Sequence, residues 1–278
     1  MAAMMIPLED QFNDVLAKAQ RGLRLSDEEV AKTAGVDPAL LASALEGVAD
    51  EDTLLRLAPV LHLHGPSLVV MAQNGWYPRP IEMAGLARFN TTFGDMTVNA
   101  YVVWDPASKR AAAFDTGATA QPMIDFIQNH DLTLERIFIT HTHGDHIADL
   151  TALQRGTRCQ AALSHTKEPC PDTDTFDIDG TTVWTLGALR IEPRSTYGHA
   201  RGGVTYVVTG LANPVAIVGD AVFASSMGGG MVSYADAVTT NRREIFSLPD
   251  DTILCPGHGP YTTVAEEKAH NPFFPDFK

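Results

Sequence analysis

The chain of 278 residues is 45% apolar and 19% charged, with a formal charge of −14. This length holds one large domain, or a large and a small one, with apolar side chains enough for a packed core. The negative charge repels phosphate backbones and argues against a nucleic-acid partner, and no run approaches the ~18 apolar residues of a membrane span. In chain order, Met1 to Pro7 lacks the basic start and apolar run of a leader. Cys159, Cys170 and Cys255 lie far apart with no CxxC, which predicts buried, reduced thiols in a cytoplasmic protein.

From residue 8 to residue 64 the pattern predicts helices only. Phe12, Val15, Leu16, Ala19 and Leu23 recur at helical spacing. Ser26-Asp27-Glu28-Glu29 is a capping box opening a second helix, Val30 to Ala34, which Gly35 closes. Asp37 caps a third, with Pro38 at its first position and Leu40, Leu41, Ala44 and Leu45 on one face. A fourth is expected from about Thr53 to His64, ending in His62 and His64. Leu25 to Val36 and the capped helix after it resemble the helix-turn-helix of phage-repressor-like DNA-binding domains. The would-be recognition helix, Asp37 to Glu46, nevertheless offers no Arg, Lys, Asn or Gln to a base edge. Residues 1–75 hold five basic and eleven acidic side chains, the wrong sign for DNA. A scaffold, lid or dimerisation role, with a homodimer in view, is expected instead. Gly65, Pro66, Gly75, Pro78 and Pro80 mark 65–86 as a connector, so the expected division is a small all-α domain over 1–74 and a main domain over 75–278.

Past Leu86 short strand-like runs take over: 86–92, 96–104 and 111–114, with Asp105-Pro106 as the turn between the last two. A helix from Thr119 to His130, a buried strand from Arg136 to Thr140 and a helix from Ala148 to Arg155 follow. Strands are then expected at 160–164, 182–186, 189–193, 204–209 and 215–218, a helix at 236–246, a strand at 252–254 and a last helix at 263–269. Two successions of strands, each followed by helices, predict a four-layer αββα sandwich.

The chemistry concentrates in Thr140-His141-Thr142-His143-Gly144-Asp145-His146, where the buried strand ends. His141 and His143 alternate on extended backbone and can face one point, while Asp145 and His146 turn the corner toward a second. Later strands end in Gly198-His199, Gly219-Asp220 and Gly257-His258. Five histidines and two aspartates at strand ends match the needs of two divalent ions with room for a bridging water. His130, His165 and His270 lack such settings and read as surface or helix-end residues. Tyr197, Met227 and Tyr261 are the candidate substrate-pocket side chains, and Ala224 to Gly230 reads as a tight turn beside the site.

HxHxDH followed by GH, GD and GHG resembles the metallo-β-lactamase superfamily, over residues 87–278. Asp115-Thr116-Gly117, Gly219-Asp220, Cys255 to Thr263, Glu266-Glu267-Lys268 and Asn271-Pro272-Phe273 resemble the glyoxalase II-like hydrolases in particular. The chain departs from that pattern at Tyr197, where many members have Pro, and is expected to lack the C-terminal helical domain that supplies glutathione contacts in the family. The resemblance implies that His141, His143 and His199 hold one metal, that Asp145, His146 and His258 hold the other, and that Asp220 bridges them. It also implies that Asp115 orients a ligand from behind. The metals are expected to be zinc, although iron and manganese suit the same ligands.

The expected activity is thioester hydrolysis by a metal-bridging hydroxide, with Asp145 or Asp220 relaying a proton and a small-molecule thioester as the substrate. Lactone hydrolysis at the same two metals is the alternative, as is a single-iron persulfide dioxygenase using His141, His199 and Asp220. A metal-dependent DNA-binding regulator ranks last, because of the acidic third helix.

Overall fold

The computed structural model describes residues 5–278; the first residues, read above as carrying no leader, lie outside it as far as residue 4. The chain opens with α1 (Phe12–Leu23), α2 (Asp27–Ala34), α3 (Pro38–Leu45), α4 (Glu51–Val60) and α5 (Gly65–Ala72). Ser26 and Asp37 cap α2 and α3 as their sequences dictate. The fourth helix is shorter than expected, and the supposed connector holds a fifth. α4 gives way to Leu61 as its C-cap and to His62 at a left-handed φ of 55°. His64 then caps α5, its Nδ1 accepting from the Ser67 N–H. Gly65-Pro66 looks like a breaker, but the first turn of a helix has no use for the missing proline N–H, so the pair starts a helix here.

The first sheet runs β1 (Leu86–Phe93), β2 (Met96–Trp104), β3 (Arg110–Phe114), β4 (Thr133–Phe138), β5 (Ala162–His165) and β6 (Asp174–Phe176), in that spatial order. The second comprises β7 (Trp184–Leu186), β8 (Leu189–Ser195), β9 (Val204–Thr209), β10 (Val215–Gly219), β11 (Ile253–Pro256) and β12 (Thr262–Thr263), again neighbours in chain order. β6 and β12 are absent from the expected strands, β12 because two residues carry no pattern and β6 because it is a largely exposed edge strand with one apolar residue.

Alternation along β2 defines the layers. Ala100 and Val102 face α6 (Gln121–Asn129) and α8 (Leu150–Thr157), meeting Ile124, Ile127 and Leu153. Tyr101 and Val103 face the second sheet and pack with Tyr206, Val208, Ile217 and Cys255. The outer face of the second sheet, Val207, Ala216, Val218 and Leu254, lies under α9 (Tyr234–Glu244), α10 (Val264–His270) and the N-terminal helices. The result is a four-layer αββα sandwich. Val15, Leu16 and Ala19 of α1 share one continuous core with the second sheet. The His64 N–H donates to the Pro272 carbonyl at 2.8 Å and ties the N-terminal helices to the chain after α10, while the Tyr77 hydroxyl donates to the Ile6 carbonyl at 2.6 Å and closes the segment before α1 onto the one after α5. Among the described residues no helix is long and apolar enough to cross a membrane.

Candidate metal centre

Five strands deliver the polar side chains to one edge of the sandwich. Asp115 follows β3, His141 to His146 follow β4, His199 follows β8, Asp220 follows β10 and His258 follows β11. The helix expected from Ala148 is broken: α7 (Gly144–Ile147) turns first, and α8 starts afresh at Leu150. That single turn carries Asp145 and His146 inward.

Two groups form among the described residues, His141 with His143, His199 and Asp220, and Asp145 with His146 and His258. His143 Nδ1 lies 3.0 Å from His141 Nε2 and 3.1 Å from His199 Nε2. In the second group His258 Nε2 is 3.3 Å and His146 Nε2 is 3.5 Å from Asp145 Oδ2. Asp220 stands between them. Its Oδ2 is 3.4 Å from His199, 3.5 Å from His258 and 3.8 Å from His141, and its Oδ1 is 3.3 Å from His146.

The outer nitrogens are already committed. His146 Nδ1–H donates to Asp115 Oδ2 at 2.8 Å, His199 Nδ1–H to the Gly229 carbonyl at 2.8 Å and His258 Nδ1–H to the Thr97 carbonyl at 2.7 Å. The Thr140 hydroxyl donates to Asp115 Oδ2 at 2.7 Å, so its oxygen is left to accept from His141 Nδ1–H at 3.1 Å. Each of these four rings therefore turns a bare Nε2 inward, the tautomer that binds a metal.

The donors fit divalent ions by a further observation. His146 Nε2 and Asp220 Oδ1 are buried without a hydrogen-bond partner among the described residues, a costly state for two facing polar atoms unless a cation lies between such groups. The electrostatics agree. Burial opposes charge on His146, yet the Asp220 and Asp115 carboxylates outweigh it and raise its pKa to about 10. Burial likewise opposes charge on His258, and Asp220 and Asp145 raise it to about 11. For His141, burial dominates and holds the pKa well down, helped by the neighbouring His146. The carboxylates around His146 and His258 thus favour positive charge at the centre, which a bound cation would supply in place of the ring protons.

Residues 93–258 match the family model of the metallo-beta-lactamase superfamily, more than half of the chain. The chain belongs to the metallo-beta-lactamase superfamily. Its fold and donor set are those of a divalent-metal hydrolase. It is 27% identical over 197 residues to the hydroxyacylglutathione hydrolase GloC of Haemophilus influenzae, covering 63% of this chain and 92% of that protein. It is 29% identical over 199 residues to a probable metallo-hydrolase of Streptococcus pyogenes, covering 63% of this chain and 84% of the relative. Among solved structures, the BLEG-1 B3 metallo-beta-lactamase superposes with a TM-score of 0.56 at 27% identity, over 67% of this chain and 99% of that one.

Within this superfamily fold two of the three pocket candidates, Met227 and Tyr261, pack into cores. The Met227 side chain is in the core with 1% exposure, because the turn from Phe223 to Ser226 folds it inward. Tyr261 packs on Tyr101 with the Arg88 guanidinium over its ring, at the side of the inter-sheet core. Tyr197 is half-buried, and its carbonyl accepts from the Thr240 hydroxyl on α9. The histidine readings need one change: His165 is buried at the end of β5, whereas His130 ends α6 and His270 ends α10 and stacks on Trp76. All three cysteines are free and buried.

Several residues that serve the site carry no local signal. Glu168 accepts from the Thr142 N–H and hydroxyl at 2.9 and 2.8 Å and from the Gly202 N–H at 2.7 Å, joining the loop of His143 to the loop of His199. Asn99 on β2 donates to the Pro256 and Gly259 carbonyls at 3.0 and 2.8 Å and so fixes the His258 turn. Glu9 comes from the N-terminal segment, whose backbone lies against Gly259. Burial pushes its carboxyl up to about 7, against the pull of His258. A lone Glu or Asn has no periodic or spacing signature, so only the fold reveals these roles.

Proposed function

We propose that the chain is a dinuclear metal-dependent hydrolase of thioesters, of the hydroxyacylglutathione hydrolase kind. The observation that carries the reading is that Asp220 lies within reach of both donor groups, of His141 and His199 on one side and of His146 and His258 on the other. In this reading His141, His143 and His199 would hold one ion, Asp145, His146 and His258 the other, with Asp220 placed to serve either. Zinc suits the nitrogen-rich first group best, with iron and manganese as competitors. The likeness to the Haemophilus influenzae enzyme over 92% of its length supports the thioester substrate. Buried free cysteines support a cytoplasmic setting.

Bound divalent ions supply Lewis acidity and bring the pKa of a water toward neutrality. The chain's own residues do the rest. Asp145 and Asp220 present carboxylate oxygens inside the group, able to hold the proton released as water attacks the acyl carbon. His143 and Gly144 are exposed, so the acyl group enters from their side, next to the exposed Phe93 ring, which a Cβ at Gly144 would meet at 3.8 Å. Neither Ser225 nor Cys255 is available as a nucleophile, since both are buried.

Metal analysis with turnover of S-lactoylglutathione, a lactone panel, a β-lactam and a persulfide tests the reading. Two metals per chain with thioester cleavage and no oxygen uptake are expected. One iron per chain with oxygen consumed on the persulfide would overturn it, and preference for the lactone or β-lactam would keep the centre but replace the substrate.

A further inference from the structure

The turn that backs His199 is built from material unable to hold its own position. Gly228, Gly229 and Gly230 follow one another, and the Gly229 carbonyl is the acceptor for His199 Nδ1–H at 2.8 Å. Gly228 packs so closely that a Cβ there would run into the Asp220 carbonyl and meet His199 Nδ1 at 2.8 Å. Three glycines lose more backbone freedom on ordering than any other residues would, so the placement must come from their flanks.

On the downstream flank the Val232 and Ser233 N–H groups both donate to the Gly198 carbonyl at 3.0 Å. On the upstream flank Phe223 and Ser226 exchange backbone bonds and the Ser225 N–H donates to Glu267, and a further hold comes from the N-terminal segment, more than two hundred residues away in the chain. Asp10 Oδ2 accepts from the Ser226 hydroxyl and from Lys18 Nζ, both at 2.5 Å. Lys18 Nζ also donates to the Met227 carbonyl at 3.0 Å, immediately before Gly228. Asn271 completes the clamp from α10 by donating to the Ser226 carbonyl at 2.8 Å.

The Asp10–Lys18 pair is largely buried, with side-chain exposures of 8% and 16%. Burying two charges costs roughly what their attraction returns, so such a pair contributes little net stability. What it does provide is direction: Asp10 holds the Ser226 hydroxyl and Lys18 holds the Met227 carbonyl, which together define where this part of the turn stands. We propose that Asp10 and Lys18 are positioning residues for the metal centre, setting the Gly229 carbonyl that orients His199 and the backbone that backs Asp220. The N-terminal helical segment thereby becomes a working part of the hydrolase site. The inference rests on the metal-centre reading above.

The test measures Zn²⁺ dissociation constants of the full chain by competition with a chromophoric chelator, in variants whose folding is checked by circular dichroism. Lys18→Met and Asp10→Asn are expected to weaken the weaker-binding ion by about ten-fold or more, the range seen when groups that orient ligands are removed. Lys18→Arg, which keeps charge and donors, is expected to restore most of the loss. Ser226→Ala removes one bond to Asp10 without touching the helices and is expected to lose affinity several-fold, so it serves even where Lys18→Met does not fold. Leu16→Ala in the core face of α1 destabilises the helix without removing any of these hydrogen bonds and should leave Zn²⁺ affinity unchanged. Wild-type affinity in Lys18→Met and Ser226→Ala, or an equal loss in Leu16→Ala, overturns the inference. A wild-type chain that binds no Zn²⁺ would instead sink the metal-centre reading itself.

Discussion

Asp115 Oδ2 receives the His146 Nδ1–H at 2.8 Å while the same oxygen receives the Thr140 hydroxyl. One carboxylate therefore sets a ligand of each donor group, His146 directly and His141 through Thr140. Its other oxygen accepts the Thr140 N–H at 2.8 Å, which fixes the end of the loop after β4. Asp115 itself stands at a left-handed φ of 58°, where β3 breaks off sharply to aim the side chain across the sheet edge.

Asp115→Ala should free both rings at once. Metal affinity is expected to fall about 10- to 100-fold at each site, with turnover falling in parallel. Equilibrium dialysis against Zn²⁺ reads the first, and unchanged dissociation constants would show that Asp115 only supports the turn.

Asp220→Ala removes the group that faces both donor sets. Stoichiometry should drop below two metals per chain, and kcat/KM should fall by about 10²–10⁴-fold, the scale of a lost acid–base group. Inductively coupled plasma analysis of the dialysed variant gives the count. Full occupancy with wild-type turnover would refute the shared position.

Gly257→Ala tests how tightly the centre is closed. A Cβ there would collide with Asp220 Oδ1 and lie 2.7 Å from His146 Cε1. Overpacking of this kind costs about 1–3 kcal/mol, and the melting temperature should fall accordingly. Because the collision is with Asp220, metal binding should weaken by about ten-fold as well. A variant that loses stability but binds metal normally would mean that the backbone yields instead of the aspartate.

Glu267 supplies a pH signature away from the metals. Burial lifts its carboxyl to about 7 despite hydrogen bonds from Thr262, Asn271 and the Ser225 N–H. The folded state therefore holds a proton that the unfolded chain releases near its ordinary value of 4.5. That contribution to stability is complete below about 4.5 and is lost as the pH rises through about 7. Its size is of the order of 3 kcal/mol. Glu267→Gln, which stays neutral, should therefore gain stability relative to wild type between pH 5 and pH 8. Urea titrations of both proteins across that range, with metal saturating, give the difference directly. A pH-independent difference would show that Glu267 carries no such shift.

The donor cluster is legible in the chain because its signals are local. His141, His143, Asp145 and His146 sit within one turn, and each remote donor follows a strand and a flanking glycine. The bounds of β2 and β9 agree with expectation because their apolar runs are long and clearly edged. α5 is hidden by Gly65-Pro66, a pair that stops a helix from within but begins one from outside. β12 is hidden by its length of two residues, and β6 because Asp174-Thr175-Phe176 is a largely exposed edge strand with a single apolar side chain.

By itself the sequence determined the αββα architecture, the identity of the metal-capable side chains and the sign of the surface charge. These follow from periodicity, turn chemistry and composition, all readable within a few residues. Tertiary structure decided everything that depends on distant segments meeting. It buried Met227, moved Tyr261 to the side of the core, and brought Glu168 between the loops of His143 and His199. Above all it laid α1 on the second sheet, so that Asp10 reaches Ser226 across 216 positions of chain. No local pattern encodes such a contact. It arises only because Val15, Leu16 and Ala19 must be buried, and the uncovered face of the second sheet is where they are.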